Sequence, residues 1–258
     1  MLFRSQLKHL EALSLGYNSF HGPIPSSLGN LSSLRYLSLY GNRLNVTLPS
    51  SLWLLSNLET LEIGKNSLAD TISEVHFNQL SKLKYLKMSS TSLTFKVNSN
   101  WVPPFQLEEM WMSSSQMGPK FPTWLQTQTS LLYLDISKSG IMDIAPTSFW
   151  KWASHLQWID LSDNQISGDL SGVWLNNILI HLNSNLLSGP ISHFLCQKLN
   201  GRSKLEALDL SNNDLCGELP LCWKSLQCLT HVNLGNNNFS GKLPDSIGFL
   251  FSLKALHL

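Results

Sequence analysis

One pattern constrains this chain more than any other: Leu10-x-x-Leu13-x-Leu15-x-x-Asn18 returns as Leu34-x-x-Leu37-x-Leu39-x-x-Asn42 and keeps returning. Further copies open at Leu58, Leu83, Leu107, Leu131, Leu156, Asn177, Leu205 and Leu229, and an eleventh begins at Leu253. The starts lie 24 or 25 residues apart, with spacings of 21 and 28 around the irregular eighth copy. A period of this length implies a stacked array in which no unit buries its apolar face alone.

Each L-x-x-L-x-L segment predicts a short strand, its leucines turned inward and the residues between them turned outward. Strands of successive units then pair in parallel. The asparagine that follows offers two donors and an acceptor, so stacked units can share it as a ladder. That column reads Asn18, Asn42, Asn66, Thr91, Ser115, Ser139, Asn164, Asn185, Asn213, Asn237. The three hydroxyl residues predict a bend held less firmly in the fourth to sixth units. A second element follows, as in Gly22-Pro23-Ile24-Pro25, Gly217-Glu218-Leu219-Pro220 and Gly241-Lys242-Leu243-Pro244. Glycine permits the tight bend, and proline ends strand pairing while fixing φ. The remainder, such as Ser26-Ser27-Leu28-Gly29-Asn30-Leu31, suits a short return. The expected fold is therefore an α/β repeat. It is a right-handed curved solenoid with a parallel β-sheet on the concave face and helical, 3-10 or irregular returns on the convex face. Residues 1–258 read as one such domain of about ten units, without a cap at either end.

Composition narrows the function. Charged residues make up 14%, hydrophobic ones 43%, and the net charge is +1 with no block of like charge. Such a chain can build a core and has no electrostatic reason to bind nucleic acid. No apolar run reaches eighteen residues, and Met1–Gln6 is too polar for a leader. The eight histidines are scattered, and H-E-x-x-H, G-x-S-x-G, G-x-G-x-x-G and P-loop patterns are missing. Cys196, Cys216, Cys222 and Cys228 form no C-x-x-C pair, so neither zinc nor another cofactor is expected. The expectation is a binding scaffold and no enzyme.

The outward strand positions carry the candidate site. Tyr36, Tyr85, Trp111, Tyr133 and Trp158 make a broken aromatic stripe, and His181 and His231 share the face. Aromatics supply large contact area at small entropy cost, which suits recognition. The competing reading is that they only cover strand backbone and one another. Asp135, Asp160 and Asp209, at one repeat position, read as structural or solvating. Asn30, Asn45 and Asn238 open N-x-[ST] triplets and are candidate glycan acceptors. Cys196 and Cys222 fall on adjacent returns, where either a disulfide or two free thiols fit; Cys216 and Cys228 read as buried thiols.

The Gly-x-Ile-Pro element in a 24-residue unit resembles the plant-specific class of leucine-rich repeats. More particular strings are Trp101-Val102-Pro103-Pro104-Phe105-Gln106-Leu107, Gly118-Pro119-Lys120-Phe121-Pro122-Thr123-Trp124-Leu125-Gln126-Thr127-Gln128 and Gly217-Glu218-Leu219-Pro220-Leu221-Cys222-Trp223. These are similar to ectodomains of plant receptor-like proteins of the fungal-xylanase-receptor and apple-scab-resistance kind. The resemblance implies an extracellular sensor at the plasma membrane that binds a microbial protein, peptide or glycan elicitor. It also implies signalling through a co-receptor kinase. Relative to that family the leader, the caps and the membrane span are missing, so the chain reads as an ectodomain fragment whose co-receptor contact and C-terminal span lie elsewhere. Two alternatives stay open: a secreted inhibitor of a microbial cell-wall-degrading enzyme, of the polygalacturonase-inhibitor type, and the ectodomain of a receptor kinase.

Overall fold

The computed structural model describes residues 7–196 and 203–258. Their contacts fall into two compact units: residues up to Met117 together with Pro122–Leu131, and Gly118–Phe121 together with Leu132–Leu258.

In the first unit the strands Ala12–Ser14, Tyr36–Ser38, Thr60–Glu62, Tyr85–Lys87 and Glu109–Trp111 pair in parallel. The register aligns Leu13, Leu37, Leu61, Leu86 and Met110. In the second, Tyr133–Asp135, Trp158–Asp160, Leu179–His181, Ala207–Asp209, His231–Asn233 and Ala255–His257 do the same. Register here is set by burial, because a one-residue slip would turn every leucine outward. One unit of the repeat shows the core: Leu34, Leu37 and Leu39 from the strand meet Leu44, Leu48, Leu52 and Leu55 from the return, all buried. Each such leucine contributes roughly 1.5–3 kcal/mol by leaving water.

The returns are short, as expected. They include 3-10 turns at Ser26–Asn30, Ser50–Leu54, Glu74–Phe77 and Thr123–Thr127 in the first unit. The second unit uses the helix Thr147–Ala153, the single turn Ser192–Leu195 and 3-10 turns at Trp223–Ser225 and Asp245–Phe249. Pro25, Pro49, Pro122, Pro146 and Pro244 stand immediately before five of these returns. Proline suits that place, since it needs no amide donor and its φ is already set.

One expectation needs correction. The glycine-bearing element does not simply end strand pairing; it pairs as well. Ser167–Asp169, Leu186–Pro190, Asp214–Glu218 and Asn238–Ser240 form a second parallel sheet within the second unit. His21–Gly22, Arg43–Val46 and Ser67–Leu68 do so in the first. Gly189 and Gly217 (φ +86° and +83°) turn the strand at positions where a Cβ would be strained. The bend after the main strand keeps its form where asparagine is replaced. The residue before each column member has a left-handed φ between 48° and 68° in all ten units, Ser90, Ser114 and Lys138 included.

Thr91 and Ser139 lose the side-chain tie between units that asparagine makes, whereas Ser115 Oγ still donates to Met88 O of the preceding unit (3.4 Å). Asn66 Nδ2 donates to Leu39 O (3.0 Å) and Ile63 O (2.9 Å), while its Oδ1 accepts from Leu44 N (3.0 Å). Thr91 Oγ1 donates only within its own unit, to Met88 O (2.9 Å). Ser139 Oγ likewise donates to Ser137 O (3.2 Å).

Candidate recognition face

The outward columns carry different chemistry in the two units. In the first, polar groups are paired between neighbouring strands. Tyr36 Oη donates to Glu62 Oε2 (3.1 Å), and Lys87 Nζ lies between Glu62 (3.6 Å) and Glu109 (3.1 Å). Trp111 Nε1 donates to Glu109 Oε2 (2.9 Å), and Tyr85 Oη to Glu108 Oε2 (2.7 Å). Arg35 grips Glu59 at 2.7 Å. Burial, with the Glu62 carboxylate behind it, raises the Tyr36 phenol above its usual range. The hydrogen bond to Glu108 raises that of Tyr85. Burial works against the Lys87 charge, but Glu109 and Glu62 outweigh it and hold the ammonium protonated.

In the second unit the carboxylates are satisfied along their own chain. Asp135 Oδ1 accepts from Ser137 N and Oγ (3.0 and 2.7 Å), Asp160 Oδ1 from Ser162 (2.9 and 2.6 Å), and Asp209 Oδ1 from Ser211 (3.0 and 2.6 Å). This turn is the structural role the repeat position suggested. His181 Nδ1 lies 3.7 Å from Asp160 Oδ2, and the Trp158 and His181 rings are 6.5 Å apart. The contact with Asp160 raises the His181 pKa. Burial pushes Asp160 up, yet the hydrogen bonds from His181 and Ser162 win and leave it below the carboxylate norm. Burial raises Asp135, helped by the neighbouring Asp160. Among the described residues no cluster of histidine, cysteine and carboxylate groups fits a metal ion.

The five stripe aromatics are all half-buried rather than fully exposed, and so is His181; His231 is exposed. Tyr133 Oη donates to Gln157 Oε1 (2.8 Å), so all three tyrosine hydroxyls are tied to neighbours. Glu62, Lys87 and Glu109 belong to the face no less than the aromatics do. The signal for Glu62 and Lys87 was opposite charge at one repeat position in successive units, while Glu109 takes the other outward position, beside Tyr85.

Asn30, Asn45 and Asn238 are all exposed, the first at the end of a return and the other two on side-sheet strands. Cys196 and Cys222 form a disulfide (Cα–Cα 5.4 Å) between two successive returns. Cys216 is half-buried and Cys228 exposed, which corrects the expectation that both are buried thiols. Cys228 sits in the turn before Leu229, where only the leucines face inward.

Stacked parallel turns with a varied outer column define a binding scaffold, a non-enzymatic class. The Leucine Rich Repeat family model matches residues 9–31, 33–55, 155–177, 204–226 and 228–250. Receptor-like protein EIX2 of Solanum lycopersicum is 39% identical over 186 residues, 63% of this chain and 18% of that one. Receptor-like protein 14 of Arabidopsis thaliana is 37% identical over 256 residues, 98% of this chain and 23% of that one. The chain thus spans less than a quarter of either relative's length. The crystal structure of PEPR1–AtPEP1 superposes with a TM-score of 0.81 at 23% identity, over 98% of this chain and 39% of that one. The chain is built of leucine-rich repeats and is similar to plant receptor-like proteins.

Proposed function

We propose that the chain is the ligand-recognition part of a plant cell-surface immune receptor-like protein, with the main sheet face as its contact surface. The observation that carries this reading is a constant buried column beneath a varied outer one. Leu134, Ile159, Ile180 and Leu208 are interchangeable in chemistry, whereas Tyr133, Trp158, Leu179 and Ala207 beside them are not. A scaffold held constant while its face varies suits recognition. Tyr36, Tyr85, Trp111, Tyr133, Trp158, His181 and His231 are the proposed contacts. The ligand is a microbial protein, peptide or glycan elicitor, and the ectodomain of the Arabidopsis receptor kinase HAESA, solved with a peptide hormone ligand, favours a peptide among these. The full-length protein lies on the extracellular side of the plasma membrane and recruits a co-receptor kinase through regions outside these residues. Asn30, Asn45 and Asn238 carry glycans.

The test is to immobilise the chain and pass fractionated culture filtrate of a plant-pathogenic fungus over it by biolayer interferometry. At least one fraction should bind and lose binding to Tyr133→Ala/Trp158→Ala or Tyr36→Ala/Tyr85→Ala. Binding untouched by both variants, or no binding fraction, overturns the assignment. Expression in plant cells should add glycan mass at the three asparagines, read by peptide mass spectrometry.

A further inference from the structure

The strings that depart from the generic repeat have a physical explanation, and it leads to a second site. In ordinary units of the first compact unit the return joins the strand through four residues: Leu31-Ser32-Ser33-Leu34, Leu55-Ser56-Asn57-Leu58 and Leu80-Ser81-Lys82-Leu83. Each closes with a hydrogen bond from the last amide to the first carbonyl, at 2.9, 2.9 and 3.2 Å. The next link, Phe105-Gln106-Leu107, is one residue shorter, with Phe105 and Leu107 both buried. That closure is replaced by a side chain from the following unit. Leu107 N donates to Gln128 Oε1 (2.9 Å), and Gln128 Nε2 donates to Phe105 O (3.3 Å). Gln128 is fully buried, and its amide takes the place of the missing peptide group. Gln106 answers from the other side: its Nε2 donates to Thr127 O (3.0 Å) and its Oε1 accepts from Thr129 N (2.8 Å).

A recess of about 470 Å³ lies at this edge, within the range of small-ligand sites. Pro104, exposed and backed by the buried Pro103 and Phe105, supplies an apolar patch, and Ser81, Lys82 and Lys84 also line the recess. The charges are unequal. Glu59, also on the rim, is neutralised by Arg35 at 2.7 Å. Lys84 shares Glu108 (3.5 Å) with the hydroxyl of Tyr85 (2.7 Å). Lys82 Nζ donates to Asn57 Oδ1 (2.7 Å) and, among the described residues, forms no ion pair. Lys82 and Lys84 therefore share the recess with the exposed Pro104, beside the two interlocked glutamines.

We propose that this recess docks an acidic–apolar peptide segment. An apolar side chain lies on the exposed Pro104, and neighbouring carboxylates reach Lys82 and Lys84. The inference is independent of the sheet-face reading, since none of the proposed sheet-face contacts lines the recess.

The probe is acetyl-Phe-Asp-Glu-amide, titrated against the whole chain by ligand-observed NMR at low salt. Saturable binding is expected, weakened by added salt and about fivefold weaker for acetyl-Phe-Asn-Gln-amide. Lys82→Gln/Lys84→Gln should weaken it by a similar factor. A serine inserted between Phe105 and Gln106, which restores the four-residue link, should abolish it. If the inserted chain fails to fold, the lysine pair decides. Absence of saturation, equal affinity for the two peptides, or binding unchanged in the double lysine variant overturns the proposal.

Discussion

The sheet faces of the two compact units share a backbone and a buried column, yet they neutralise polar groups in different directions. In the first unit Tyr36, Glu62, Lys87 and Glu109 bond from strand to strand, and Trp111 joins them through Glu109 on its own strand. In the second, Asp135, Asp160 and Asp209 bond forward to the serine two residues on. Cross-strand pairing consumes the outward tips of long side chains. Pairing along the chain uses one carboxylate oxygen and leaves the other to the neighbouring column, as with Asp160 and His181, or Asp209 and Asn233 (3.2 Å). The first face is consequently a closed network; the second keeps groups that still respond to pH or a partner.

The largest effect should show that the buried columns do not share this difference. Leu61→Ala in the first unit and Leu208→Ala in the second should each cost about 3 kcal/mol in urea unfolding, because both side chains are almost fully buried. Clearly unequal losses would mean that the two stacks are not packed alike. Next comes the covalent tie, which only the second unit has. Cys196→Ser/Cys222→Ser, opening a link across a sequence separation of 26, should cost about 3 kcal/mol. Hydrogen exchange should register the loss in residues 186–240 and leave residues 12–111 protected as before.

A smaller contrast lies within the first unit's ladder. Asn66→Ala removes bonds to three carbonyls and one amide and should cost about 2 kcal/mol, whereas Thr91→Ala removes one and should cost about 1 kcal/mol. Equal costs would mean that the tie between units adds nothing beyond the bend itself. The smallest effect is titration. His181 has a raised pKa, so its contribution to stability is complete below the ordinary histidine value of about 6.5 and disappears as pH climbs through the folded-state value above it. Asp160 is lowered, so its contribution is present above the ordinary carboxylate range and is lost on acidification. His181→Gln should flatten the urea midpoint between about pH 6 and pH 8. A midpoint equally steep in that variant would place the responsive group elsewhere.

Much of this was readable in the residues. The Leu-x-x-Leu-x-Leu period located every main-sheet strand, because only inward leucines recur at a spacing that stacking can use. The proline before the returns was equally plain, since it follows from backbone limits; the left-handed bend before the asparagine column was not, because nine of its ten residues are not glycine. The side sheet was not readable: glycine and proline within Leu186–Pro190 argue against a strand, and only pairing with Asp214–Glu218 makes it one. The state of the stripe was not readable either. An outward tyrosine looks alike whether its hydroxyl is bare or held by a carboxylate 23 to 26 residues away.

The sequence by itself therefore determined the repeat, its register and which side chains face outward, all of which depend on local spacing and on the need to bury leucine. Tertiary structure alone decided how the outward groups neutralise one another, and that Gln128 stands in for a missing residue near Phe105. Those outcomes depend on side chains one or more units apart in the chain that meet only after stacking, and the local pattern carries no record of such meetings.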